Sequence, residues 1–404
     1  MNGNDRAIVG LVMVGHAMVH TYELSIPILV SVWLVEFPVT EAAIGLVVTA
    51  GYALFGIGAL PGGVLADAVG SRRVIAACLL GMSGSFLVLS VAPSIPVITV
   101  ALLLWGTAAS VYHPSGLSLI STGVDERGSA FAYHGMAGNA GIALGPLATT
   151  LLLIPFDWRT VVGLLAIPAA LGGVYALRTE FEEDAAVAAD GDGRADPVSS
   201  LSEFLAGSRS LFAGAFVGVF AVVVMSGLYY RGVLTFLPEL LADFDAFAPV
   251  SLAGTDLEPA RYAYVGLLTV GMAGQYVGGR LTDRIRTEAG IAAAFAALAV
   301  LAVLFVPAAD AGLLPLLALG AALGFTLFAV QPLYQATVAE YTPAGTRGLS
   351  YGFTYLGTFG VGAFGGALAG AVLTYGTPTA LFLALAGVAT LAAVTGAALY
   401  ARAY

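Results

Sequence analysis

Apolar residues run along this chain in stretches of about 20 or more, separated by short joints that hold most of its charge. Such a stretch crosses the hydrocarbon core of a bilayer as a helix, because backbone N–H and C=O groups must be paired internally where there is no water. Twelve are predicted. They cover residues 7–35, 42–66, 72–91, 95–121, 128–154 and 159–177, then 211–240, 260–282, 288–306, 312–340, 346–374 and 378–401. The fold class is therefore an all-α membrane protein with twelve transmembrane helices. The first stretch follows six residues with no charged leader or small-residue cleavage site, so it reads as a retained helix and not as a signal.

Composition supports this reading. Hydrophobic residues make up 59% of the 404 and charged ones 10%, against about a quarter charged in soluble domains. There are too few charges to coat a water-facing surface, so the lipid bilayer is the surrounding partner. One cysteine, Cys78, excludes an internal disulfide and a thiolate metal cluster. A net charge of −10, with no basic run longer than Arg72 and Arg73, argues against nucleic acid as a partner. All 15 basic residues are arginine. An acidic, lysine-free chain points to a high-salt habitat, where carboxylates hold hydration better than ammonium groups.

Arginine placement sets the expected orientation, since basic residues stay on the cytoplasmic side of short loops. With the N-terminus inside, eleven arginines (6, 72, 73, 127, 178, 194, 209, 284, 286, 347 and 402) fall on the cytoplasmic side and only Arg159 and Arg261 outside. Both termini are then cytoplasmic, in a multi-pass protein of the cell membrane. The acidic segment 178–210 carries Glu180, Glu182, Glu183, Asp184, Asp190, Asp192, Asp196 and Glu203 among Ala, Gly and Ser. It reads as a cytoplasmic linker with too little apolar surface to fold alone. The expected organisation is a bundle over residues 1–177, this linker, and a second bundle over 211–404.

The two halves repeat. Gly63, Leu65, Asp67 and the arginines Arg72 and Arg73 follow the second stretch; Gly279, Leu281, Asp283 and Arg284 follow the eighth, offset by 216. Pro114 pairs with Pro332, Gly145 with Gly365, and Pro27 with Pro238, at offsets between 211 and 220. Small loop changes in a duplicated half leave such a drift. Two pseudo-symmetric six-helix bundles are predicted.

The stretch Gly63 to Arg73 resembles the signature loop of the major facilitator superfamily of secondary transporters, with departures at Ala68 and Ser71 where basic residues are usual. Gly141 to Pro146 is similar to the glycine and proline motif of its proton-coupled exporters. Tyr112, His113, Pro114 and the run Gly135 to Pro146 look most like the branch of fosmidomycin-resistance and related drug exporters. The resemblance implies a gating role for Gly63, Asp67, Gly70, Arg72 and Arg73, and for the matching Gly279, Asp283 and Arg284. It also implies that the first, fourth, seventh and tenth helices line a central cavity. Asp67 is expected to accept from a facing helix N-terminus or to pair with arginine, and Gly141, Gly145 and Pro146 to give a smooth, softened sliding face.

Ionisable groups inside spans mark function. His16, His20 and Glu23 share a face of the first helix, with Pro27 positioned to break it four residues later. All four histidines, the others being His113 and His134, lie in three spans of one half. Histidine beside a carboxylate can take up and release a proton, and His20 with Glu23 makes such a pair; His16 reads as a core histidine. Tyr112, Asn139, Tyr230, Gln331, Tyr334 and Gln335 are polar groups suited to holding a solute. Arg231 either neutralises Glu23 or an anionic solute, or lies near the interface and snorkels.

No nucleotide loop, HExxH or GxSxG pattern occurs, so the chain reads as no enzyme, with no cofactor and no metal. The expected function is a monomeric secondary transporter moving a small organic solute by alternating access, as proton-coupled export. Proton- or sodium-coupled uptake of an organic anion or sugar is the alternative, and a non-transporting receptor a more distant one.

Overall fold

The computed structural model describes residues 1–190, 201–252, 255–343 and 346–402. Its helices are α1 (Gly3–Glu36), α2 (Glu41–Ile57), α3 (Ala59–Val69), α4 (Ser71–Ser90), α5 (Ile95–Ser110), α6 (Tyr112–Gly123), α7 (Arg127–Leu152), α8 (Trp158–Arg178), α9 (Ala185–Asp190), α10 (Leu201–Phe212), α11 (Phe216–Leu234) and α12 (Leu237–Ala242). A two-stranded antiparallel hairpin, β1 (Val250–Leu252) and β2 (Thr255–Leu257), comes next, with Val250 opposite Leu257. Then follow α13 (Pro259–Thr282), α14 (Thr287–Asp310), α15 (Leu313–Glu340), α16 (Arg347–Tyr355), a π-helical turn (Leu356–Val361), α17 (Phe364–Tyr375) and α18 (Pro378–Arg402).

Each predicted span coincides with one helix or a run of adjacent ones. Among the described residues nine stretches are long and apolar enough to cross a bilayer, and ten when α2 and α3, bent by 46° at their junction, count as one. The other two predicted spans are α7 and α13, where histidine, asparagine, glutamine and many glycines dilute the hydropathy.

Several breaks have one cause. A proline cannot donate to the carbonyl four residues back, and the helix yields just ahead of it: at Gly58 before Pro61, at Val111 before Pro114, and at Thr235 and Phe236 before Pro238. Pro27 behaves otherwise. The expected break does not occur, and α1 runs through it unbroken to Glu36. Pro146 likewise lies inside a continuous α7.

The acidic segment 178–210 is partly ordered. Its ends are helical in α9 and α10, and Asn4 holds it by donating to the Glu182 carbonyl and accepting from the Glu182 N–H. Asp192, Arg194 and Asp196 lie outside the described residues.

The chain forms two compact units. One comprises Met1–Ile26 with Ala50–Phe204, the other Pro27–Thr49 with Leu205–Tyr404. Within the first, α4 packs on α8 and α5; within the second, α14 packs on α18 and α15. The repeat is visible in the small residues too. A Cβ added at Gly62 would meet Val111 Cα at 3.1 Å and the Pro114 ring at 3.2 Å, and one at Gly278 would meet Ala329 Cα and the Pro332 ring, each at 2.9 Å. In the first unit α7 lies against α1 through Gly138, Gly141 and Gly145; in the second, α11 lies against the π turn and α17 through Gly227, Gly362 and Gly365. Backbone-to-backbone approach of this kind gives membrane helices their dispersion energy where lipid removes the hydrophobic drive.

That contact is testable. A Cβ at Gly145 would sit 2.5 Å from Thr21 Cα, whereas one at Gly163 in α8 has Ser90 Cβ as its nearest neighbour, at 3.6 Å. Overpacking at a backbone contact costs about 1–3 kcal/mol; alanine at an open helical glycine gains roughly 0.5–1 kcal/mol. Thermal unfolding of the purified protein should therefore show a lower Tm for Gly145→Ala and an equal or higher one for Gly163→Ala. Equal losses in both would remove the contact as the cause.

Candidate functional site

The four histidines meet in the first unit. Spacing by four on α1 sets His16 beside His20, with ring centroids 4.7 Å apart and planes tilted by 57°. The proline-induced start of α6 at Tyr112 brings His113 to 5.3 Å from His16 and 5.7 Å from His20. Gly138, one turn beyond His134 on α7, leaves room for the His16 ring. His134 stacks on that ring at 3.8 Å, and the Tyr112 ring lies roughly parallel to both, with centroids 5.7 Å from His16 and 6.1 Å from His134. The Tyr112 hydroxyl donates to the Val12 carbonyl and the Tyr52 hydroxyl to the Glu23 carbonyl, pinning α1 from two sides.

Three hydrogen bonds form a string through this cluster. His16 Nδ1 lies 2.7 Å from the His134 carbonyl, His16 Nε2 is 3.0 Å from His20 Nε2, and His20 Nδ1 is 2.6 Å from Glu23 Oε2. A carbonyl only accepts, so His16 Nδ1 is protonated. With that ring neutral, its Nε2 accepts and His20 Nε2 donates. The proton between His20 and Glu23 then belongs either to an imidazolium beside a carboxylate or to a neutral carboxyl beside a neutral ring. In both cases the string holds one proton more than two neutral imidazoles and a carboxylate supply. Without it, either two nitrogen lone pairs would face each other at 3.0 Å or the His20 Nδ1 lone pair would face the Glu23 carboxylate at 2.6 Å. Glu23 is 1% exposed, while the His20 side chain keeps 14%, so His20 is the accessible member.

The cluster contains His20, Glu23, Tyr112, His113 and His134 from the expected set, and the His20–Glu23 pair is in hydrogen-bond contact. His16, set aside as a core histidine, stands at its centre. Only the ring of His134, remote in the chain and stacked on it, makes that role visible. Tyr52 was missed as well, for an isolated tyrosine in an apolar helix carries no signal. Asn139 is half-buried on α7.

The remaining expected residues belong to the second unit. Arg231 is 1% exposed, so it does not snorkel; its guanidinium carbon lies 5.2 Å from the Tyr230 ring centroid and 5.6 Å from that of Phe359, which the π turn carries. Gln331 accepts from Gln275 at 3.3 Å, Tyr334 is buried, and Gln335 is exposed. A cavity of about 420 Å³ in this unit, lined by Leu237, Tyr262, Phe305 and Leu316 among others, is apolar and includes none of these residues.

At the signature loop a different carboxylate takes the expected position. Asp67 is exposed, and Glu183 accepts from the N–H groups of Ser71 and Arg72 at the start of α4, at 2.6 and 3.2 Å. Gly70, at φ 91°, makes the turn that presents those donors. Arg72 donates to the Thr179 carbonyl at 2.7 Å and Arg73 to that of Val69 at 3.4 Å. The close approach expected at Gly63 falls at Gly62. In the second unit Gly279 faces Pro332 at 4.0 Å, and Asp283 and Arg284 are exposed.

A fold of long apolar helices with a polar cluster buried in its first unit defines a multi-pass membrane protein. The sequence pattern of the Major Facilitator Superfamily matches residues 10–314, and the chain belongs to that family. It is 39% identical over 116 residues to the puromycin resistance protein pur8 of Streptomyces alboniger, a match spanning 28% of this chain and 23% of that protein. It is 27% identical to a gallate transporter of Pseudomonas putida over 89% of this chain and 83% of the other. The chain matches about a quarter of the length of the first three curated relatives. Among solved structures, a peptide transporter POT in complex with sulfate has a TM-score of 0.76 at 17% identity, covering 100% of this chain and 96% of the other. A bacterial homologue of the human lysosomal transporter Spinster gives 0.76 at 14%, covering 100% and 98%. At such identities these structures share the fold.

The loop geometry makes its own prediction. Removing a carboxylate cap from a helix N-terminus costs about 1 kcal/mol. Glu183→Ala should lower the Tm of the purified protein, whereas Asp67→Asn should leave it unchanged. The reverse order would return the capping role to Asp67.

Proposed function

We propose that the chain is a secondary active transporter that exports a small organic solute by alternating access in exchange for protons. In this reading twelve helices cross the cell membrane with both termini cytoplasmic. The bundles 1–177 and 211–404 rock about a midplane site, with segment 178–210 between them. The protein acts as a monomer in a cell with a salty interior. His20, Glu23, His113 and His134 carry protons or hold solute, with Tyr112 and Asn139 beside them. Arg231 attracts negative charge, with Tyr230, Gln331, Tyr334 and Gln335 as solute contacts. The glycine pairs at the signature loops, with Asp67, Asp283 and their arginines, gate access.

One observation carries this reading: the hydrogen-bonded string from the His134 carbonyl to Glu23, which is complete only with an added proton. Losing that proton breaks a bond between neighbouring polar groups on α1, so protonation and the arrangement of His16, His20 and Glu23 are linked. Export is supported by the partial likeness to a puromycin resistance protein and by the Gly141 to Pro146 motif. A second reading, carriage of a small organic anion, is favoured by the likeness to a gallate transporter over most of both chains and by the burial of Arg231.

Proteoliposomes loaded with a pH-sensitive dye test the coupling. Transport should alter internal pH, and Glu23→Gln should abolish uphill movement while retaining exchange of solute for solute. Uphill transport at the wild-type rate in Glu23→Gln would remove the carboxylate from the proton path, and transport without any pH change would remove the coupling. Accumulation in whole cells with and without an uncoupler separates export from uptake.

A further inference from the structure

We propose that His16, His20 and His113 form a binding site for one divalent transition-metal ion of the zinc, copper and nickel class. The inference rests on side-chain geometry and holds whichever way solute moves.

One nitrogen from each of these three residues lies within 4.8 Å of those of the other two. The closest pair, His16 Nε2 and His20 Nε2, is 3.0 Å apart. Two imidazoles bound to the same tetrahedral zinc, at about 2.0–2.1 Å each, hold their nitrogens about 3.3–3.4 Å apart, so this pair needs to open by only a few tenths of an ångström. His113, on α6, brings the third nitrogen to within 4.8 Å of both.

The outward-facing nitrogens make the stronger argument. A metal-bound histidine donates its other N–H to a carboxylate or a backbone carbonyl, which fixes the ring and raises the basicity of the ligating nitrogen. Both arrangements are present. His20 Nδ1 is 2.6 Å from the Glu23 carboxylate, and His16 Nδ1 is 2.7 Å from the His134 carbonyl. Each ring is thus held so that its Nε2 turns toward the other. Glu23, buried to 1% exposure, also offsets one of the two positive charges the ion would bring into a low-dielectric place.

The donor set selects the class of ion. Imidazole nitrogen suits zinc, copper and nickel, whereas magnesium and calcium call for oxygen. Three protein nitrogens leave a fourth position for water or a solute atom, as in sites that exchange their ligands. Buried beside the cluster, His134 Nε2 lacks a hydrogen-bond partner among the described residues and could serve such a ligand. Spacing on α1 alone brings two histidines together; the third ligand comes from 93 positions after His20 in the sequence, which is why the site is hidden in the linear chain.

The test uses the full-length protein, purified in detergent without a polyhistidine tag. Titration with zinc should give one equivalent bound, and cobalt should develop the visible bands of a tetrahedral ion. His16→Gln, His20→Gln and His113→Gln should each weaken binding by more than about tenfold, and Glu23→Gln by about 10- to 100-fold. X-ray absorption on the zinc-loaded wild-type protein should count three imidazoles, a reading that survives if a variant fails to fold. Absence of stoichiometric binding overturns the proposal. So does binding that all four variants retain, which would place the ion on the acidic segment or the N-terminal amine. Neither result touches the proton-flux experiment, and loss of proton coupling there leaves the metal site standing.

Discussion

A carboxylate buried inside a membrane-spanning helix is stable only beside something that neutralises it. Glu23 is that carboxylate, and His20 is what stands beside it. Satisfying the pair draws in the rest of the first unit: His20 needs a partner for its second nitrogen, His16 supplies one, and His16 in turn needs the His134 carbonyl. For these groups to meet, α7 must lie so close to α1 that only glycine fits at 138, 141 and 145. The polar chemistry and the small-residue packing are thus one requirement seen from two sides. A string of polar contacts also resists partial occupancy, since a buried group left without a partner is strongly destabilising.

The second unit repeats the packing, and all four histidines lie in the first. Gly227 and Gly365 bring α11 against the π turn and α17, as the α7 glycines do for α1, and Gly278 abuts Pro332 as Gly62 abuts Pro114. Where the first unit places histidines, the second has Arg231 buried among Tyr230 and Phe359. A permanently charged guanidinium does not exchange protons at physiological pH. Where the histidines of the first unit can exchange a proton, the buried guanidinium of Arg231 keeps its charge.

Much of this was legible in the chain. Apolar runs located the helices to within a few residues, because backbone pairing in lipid permits little else. Helical spacing put His16, His20 and Glu23 on one face. What could not be read was whichever feature depends on remote neighbours. Nothing local distinguishes Pro27, which α1 passes through, from Pro61, Pro114 and Pro238, where helices break. The capping of α4 by Glu183 pairs residues 112 apart, so the acidic segment looked uniformly solvated when its first part is bound. His16 read as a core residue, and that its ring lies against those of His134, His20 and His113 could not be seen from its neighbours in the chain.

The division of the chain into units has a consequence for biosynthesis. Residues 27–49 pack with elements that begin at Leu205, so these early residues leave the ribosome long before the helices that bury them exist. Until then the carboxy-terminal part of α1 and the start of α2 must be held by lipid or by the insertion machinery. The first unit, whose pieces all lie within the first 204 residues, can close on itself while translation continues. The pieces of the half bearing the histidines are thus all present by residue 204, whereas the other half joins residues 27–49 to helices made much later.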